Sequence, residues 1–262
     1  MAQGAQAQPF PQSRARSAAG STVAATDRLG RVAQALGAAT ALAMLAMLYM
    51  ALIYAPTELT QGPAQRIFYP HIGSAFITYV AYAVTCIASI AYLWRRSETW
   101  DMVARSSAEV GLLLNTILLA SGAIWGKAIW GTWWSWDARL TSTLILWFIY
   151  AGYLMLRAYG GDTPQIARSA AVVGIIGCLD IPIINQSVRW WRTLHPAPIV
   201  VRENPALPTT MLQAMFVAIA AFLLLYAYLT VQRFRVERLA TTVGQLRQEA
   251  LFAADDDMRR EG

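Results

Sequence analysis

Residues 32–57 run for 26 positions without a charged side chain, and five further stretches are nearly as free of charge. A helix needs about 20 apolar residues to cross the ~30 Å hydrocarbon core of a bilayer. Inside hydrocarbon the backbone must satisfy its own hydrogen bonds, which leaves only helical bundles and closed barrels. Barrel strands alternate apolar and polar residues, whereas these runs are continuous. Composition points the same way: 56% of residues are apolar, 14% are charged and the mean hydropathy is +0.40. An ordinary soluble domain carries about 25% charge. The expected fold class is therefore an all-α integral membrane protein, a six-helix transmembrane bundle.

The first run is too long for the apolar core of a signal peptide, and no small-residue cleavage pattern follows it, so it counts as a span. The second covers 67–94, or starts at His71. The third fits between Glu109 and Lys127 and the fourth between Arg139 and Arg157. Both are close to the lower limit of about 17 residues. The fifth, 169–188, contains Asp180 and Pro182, and the sixth covers 207–231. With the N-terminus inside, the inner segments hold fifteen Lys and Arg and the outer ones six. Cytoplasmic loops carry that excess, so both termini are expected to be cytoplasmic.

This divides the chain into a disordered cytoplasmic lead (1–29), a membrane domain (30–232) and a cytoplasmic tail (233–262). In the tail Val236, Leu239, Val243, Leu246 and Ala250 recur at intervals of three and four, ahead of an acidic run at 255–257. That pattern suits a short partner-docking helix or an amphipathic helix at the membrane surface.

The segment 125–141, WGKAIWGTWWSWDARLT, holds five of the ten tryptophans: Trp125, Trp130, Trp133, Trp134 and Trp136. Orientation places it outside. An interfacial aromatic belt explains Trp94, Trp100 or Trp147. It explains poorly a cluster threaded with Gly126 and Gly131, where glycine permits a sharp turn or a close backbone approach. The only two histidines reach the same face. His71 follows Pro70 at the mouth of the second span, since proline suits a first helical turn. His195 lies between the fifth and sixth spans, on backbone that Pro196 pushes toward an extended form.

Two neutral imidazoles suit haem iron, and indoles pack against a large planar apolar ring. The two propionates of such a ring call for guanidinium groups, which Arg66 and Arg139 are placed to supply. Zinc is the alternative, but it needs further ligands, and Asp137 is the only evident outer one. Elsewhere the chemistry is sparse. The GAIWGK stretch, 122–127, is one residue short of a phosphate loop and lacks its Ser or Thr, so any ATP hydrolysis belongs to another protein. Cys86 and Cys178 sit in mid-span without a CxxC spacing and read as small buried residues, which only a meeting within the bundle could join. No enzyme activity and no nucleic-acid partner is expected.

The stretch WGTWWSWDARLT resembles the tryptophan-rich WWD motif of the membrane proteins that handle haem in cytochrome c biogenesis. FYPHIGSA before the second span and VRWWRTLHPAP after the fifth are similar to the histidine segments of one six-helix branch, the cytochrome c maturation protein C (haem exporter protein C) family. The likeness covers about residues 30–232, in the same order and with the same topology. It implies that haem b binds non-covalently at the periplasmic face of the bacterial inner membrane, with His71 and His195 as axial ligands. The tryptophan segment, Asp137 and the neighbouring Trp190 and Trp191 would hold it and present it, and Arg66 and Arg139 would steady the propionates. The recipient implied is the periplasmic haem chaperone, cytochrome c maturation protein E. The implied assembly is an ABC-type complex, completed by the ATPase, the second membrane protein and the small one-helix protein of the same maturation system.

Two rival readings differ in mechanism. A permease would pass haem or another solute through the bundle, which Asp180 in mid-membrane favours, since a carboxylate there usually lines a cavity or has a partner. A quinol-linked cytochrome b would place its histidines deep within facing helices, which two outer histidines do not match.

Overall fold

The structure, a computed structural model, describes residues 12–195 and 207–261. Pro196, with its expected effect on backbone, lies outside the described residues. Among the described residues six α-helices follow one another: α1 (Gln12–Tyr49), α2 (Phe68–Arg95), α3 (Glu98–Trp130), α4 (Ala138–Tyr159), α5 (Pro164–Trp190) and α6 (Thr209–Glu261). Each contains a stretch long and apolar enough to cross a membrane. The six-helix bundle read from the charge-free runs is the fold.

Several boundaries differ from those expectations. α1 starts at Gln12, so the described part of the lead is helical rather than irregular and continues into the first span. α3 reaches beyond both charges that bracket its apolar run. At its start Glu98 and Asp101 occupy the first turn, where the helix dipole favours anions. At its end Trp125 and Trp130 belong to the helix, not to a loop. α5 passes through Pro182 without ending. α6 runs for 53 residues, so the tail is no separate helix but the same one continued, about 80 Å in all at 1.5 Å per residue. Val236, Leu239, Val243 and Leu246 remain exposed on it.

α2 lies at the centre, packed against α3, α5 and α6, while α1 pairs with α6 and α4 with α5. One apolar core gathers Phe68, Tyr69, Ile77, Leu114, Met215 and Phe222 between α1, α2, α3 and α6. A second joins Tyr82, Leu146, Tyr150, Tyr153 and Ile184, with the Tyr82 and Tyr150 rings stacked at 3.6 Å. Cys86 of α2 and Cys178 of α5 do come close to one another, and both are free thiols. Asp180 is buried, and its Oδ2 has no hydrogen-bond partner among the described residues.

At the end away from the tryptophans, charge is paired rather than dispersed. Arg157 of α4 is buried and bonds Asp101 of α3 at 2.6 Å. Arg105 and Glu109 of α3 interlock with Arg233 and Glu237 of α6. These pairs explain how α3 and α6 carry charged turns within continuous helices. A charge that has a partner no longer has to reach bulk water.

Candidate haem site

The tryptophan segment divides at Gly131. This residue takes φ 76°, the left-handed conformation that ends α3 and that glycine adopts without strain. The Lys127 ammonium donates to the Gly131 carbonyl at 2.9 Å and so closes the helix end. The chain then crosses 132–136 as loop and enters α4 at Asp137, whose Oδ1 caps the helix by accepting from the Leu140 N–H at 2.8 Å.

His71, one turn into α2, is half-buried. Its Nδ1 lies 3.1 Å from the Ser121 hydroxyl of α3. The edge of Trp125 packs on the ring with centroids 5.5 Å apart, and Gly122 leaves room for Cε1. His195, four residues past Trp191, places Nδ1 3.2 Å from Asp137 Oδ2. Thr193 donates to the same oxygen at 2.9 Å and receives the His195 N–H at 3.1 Å. Trp130 packs edge-on against His195 at 5.2 Å. The two histidines are within electrostatic reach of one another, and Arg139 is within reach of both. The Arg139 guanidinium also lies against the Tyr79 hydroxyl.

Burial tends to raise the Asp137 pKa, but the Leu140 N–H, His195 and Thr193 overcome it and hold the carboxyl below its usual range. Burial lowers His195 below its ordinary 6.5, against the opposing pull of Asp137. At neutral pH the pair is therefore a carboxylate beside a neutral imidazole, the form of histidine that binds metals.

The expected site residues separate into three groups. His71, His195, Asp137, Arg139, Trp125 and Trp130 converge. Trp133, Trp136, Trp190 and Trp191 form an exposed rim, between 54% and 77% accessible, while Trp134 packs edge-on to Trp136 at 5.7 Å. Arg66 stands apart, its guanidinium turned to the Ala51 and Leu52 carbonyls and to Thr57. It fastens the end of α1 to the turn before α2, and would reach a carboxylate only by giving up those bonds.

Sequence reasoning missed Ser121, Thr193 and Gln61, the last accepting from the Trp125 indole N–H at 3.3 Å. Polar residues without spacing or motif carry no signal until the chain folds. Buried nearby, Trp134 Nε1, Ser135 Oγ and Thr141 Oγ1 have no hydrogen-bond partner among the described residues. Such groups are seldom left unpaired, so they suit a guest that brings acceptors. Among the described residues no three of His, Cys, Asp and Glu gather as a metal set. Asp137, the third ligand zinc would require, is committed to His195.

These features define a class: a multi-pass helical membrane protein with two imidazoles converging among indoles at one end of its bundle. The family profile described as Heme exporter protein C matches residues 17–249. A protein of that name from Bradyrhizobium diazoefficiens is 36% identical over 231 residues, 87% of this chain and 88% of its own. One from Haemophilus influenzae is 39% identical over 189 residues, 72% of this chain and 77% of its own. A mitochondrial protein of Marchantia polymorpha, described as ccmC-like and of cytochrome c biosynthesis, is 35% identical over 178 residues, 68% of this chain and 75% of its own. The chain belongs to the haem exporter protein C family.

Proposed function

We propose that this protein holds haem b between His71 and His195 at the periplasmic end of its bundle and delivers it to the periplasmic haem chaperone, cytochrome c maturation protein E. Both termini are cytoplasmic and the membrane is the bacterial inner membrane. The ATPase, the second membrane protein and the one-helix protein of the maturation system complete an ABC-type complex, and the chain itself is a carrier rather than an enzyme. One observation carries this reading. The only two imidazoles, 124 positions apart, converge with Nδ1 of each engaged, which leaves both Nε2 atoms as ligands.

In this mechanism haem is cargo. The imidazoles grip its iron from both sides. Trp125 and Trp130 brace the imidazoles, and Arg139 and the unpaired donors of the loop receive the propionates. The exposed indoles of Trp133, Trp136, Trp190 and Trp191 give the chaperone an apolar surface to dock on. ATP hydrolysis in the partner ATPase then releases the loaded chaperone. The absorption spectrum of the purified protein, with and without reductant, tests the reading. A split ferrous α/β pattern of a six-coordinate haem supports it, and failure of added haem to give any Soret band would end it.

Gly122 provides an independent check of the ligand geometry. A Cβ there would sit 3.0 Å from Cε1 of His71, tighter than ordinary contact. Gly122→Leu should displace the ring and lower haem occupancy severalfold, whereas the exposed Gly152→Leu, with nothing within 4 Å, should leave it unchanged. Pyridine haemochrome assay of both variants measures the difference. The permease reading keeps one favourable observation, the unpaired Oδ2 of buried Asp180. Haem uptake into sealed vesicles containing this chain alone would decide for it.

A further inference from the structure

We propose that the two axial histidines are unequal, with His195 the ligand that holds and His71 the ligand that lets go, and with Asp137 as the positioning residue that makes them so. The inference rests on the haem reading above. The Ser121 hydroxyl gives its proton to the Leu118 carbonyl at 3.1 Å, so towards His71 Nδ1, also at 3.1 Å, its oxygen accepts. Nδ1 of His71 therefore carries the proton and Nε2 keeps its lone pair. On the other side the Asp137 carboxylate can only accept, so His195 Nδ1 carries the proton there too.

The tautomers match but the acceptors do not. His71 leans on a neutral hydroxyl oxygen, while His195 leans on an anion fixed by the Leu140 N–H and the Thr193 hydroxyl. A carboxylate drawing on Nδ1–H returns electron density to Nε2 and makes it the stronger donor to iron; such partners tune metal affinity by roughly 10–100-fold. A competing ligand from a recipient therefore displaces the weaker bond, and exchange proceeds through the His71 side while His195 retains the cargo. Asp137 both caps α4 and steadies the His195 loop, so its charge and its shape have to be separated experimentally.

The test compares Asp137→Asn, Asp137→Glu and Ser121→Ala in the full-length protein. The ferrous protein, saturated with haem, is exposed to carbon monoxide, which replaces one imidazole. Its C–O stretch reports the donor strength of the imidazole that stays. Asp137→Asn should shift the stretch and weaken haem binding roughly 10–100-fold. Asp137→Glu should restore both. Ser121→Ala should leave the stretch where it is, because the imidazole that carbon monoxide displaces is His71, whose Nδ1 faces Ser121.

Nitrogen-15 spectra of the haem-free protein, which has only two histidines, should show both Nε2 atoms unprotonated, with His195 alone responding to Asp137→Asn. A stretch that follows Ser121→Ala and ignores Asp137→Asn would overturn the assignment, as would a His195 resonance indifferent to residue 137. A wild-type protein that takes up no haem at all would instead remove the reading on which the inference rests.

Discussion

Purified His71→Ala and His195→Ala proteins should each lose much of the Soret absorbance that the wild type keeps, His195→Ala the more, and the double variant should lose all of it. An edge-on aromatic contact contributes about 0.5–1.5 kcal/mol. Trp125 and Trp130 offer such contacts to the imidazoles, and Trp133 and Trp136 lie at the rim. The competitor is the bilayer, whose chains take up apolar surface as readily as a protein does. A porphyrin held by indoles alone has little reason to stay, so the iron–nitrogen bonds must account for the difference. Free imidazole added to His71→Gly or His195→Gly should return part of the absorbance, since it replaces the ligand without repairing any other contact. Alanine variants that keep a normal, six-coordinate spectrum would show that other groups ligate the iron.

At the opposite end of the bundle, Asp101→Ala is expected to cost about 3–5 kcal/mol of stability by leaving the Arg157 guanidinium buried without its carboxylate. The two side chains are 17% and 6% exposed and 2.6 Å apart, so neither turns to water when the other is removed. The paired replacement Asp101→Leu with Arg157→Met should recover most of the loss, because two apolar side chains need no partner. Thermal unfolding in detergent measures both. The haem spectrum of surviving folded protein should be unaltered, because the pair lies at the far end of α3 and α4 from the tryptophan loop. An Asp101→Ala protein as stable as wild type would mean that Arg157 finds another partner, and would sink the assignment of this pair as a structural lock between α3 and α4.

The helices were legible because membrane crossing is a property of local composition. A run such as 32–57 is suited to hydrocarbon whatever its neighbours do. The site was legible only as an inventory: both histidines, the tryptophans, Asp137 and Arg139 stood out by type and by motif. Where sequence reasoning erred, long-range pairing was the cause. Glu109 looked like the limit to a span, yet a partner on α6 lets α3 extend through it. The charges at 101 and 105 beyond it are likewise paired, with α4 and α6.

The sequence by itself determined that this chain is a six-helix membrane protein and which few residues could hold a metal-bearing guest. Only the tertiary structure decided how those residues are paired. Asp137 meets His195 across 58 positions, Ser121 meets His71 across 50, and Arg66 turns to the end of α1 instead of the cleft. Burial is encoded residue by residue, because water and lipid act on each side chain separately. A hydrogen bond between distant residues exists only once helices pack in one particular arrangement, and that arrangement belongs to the whole chain.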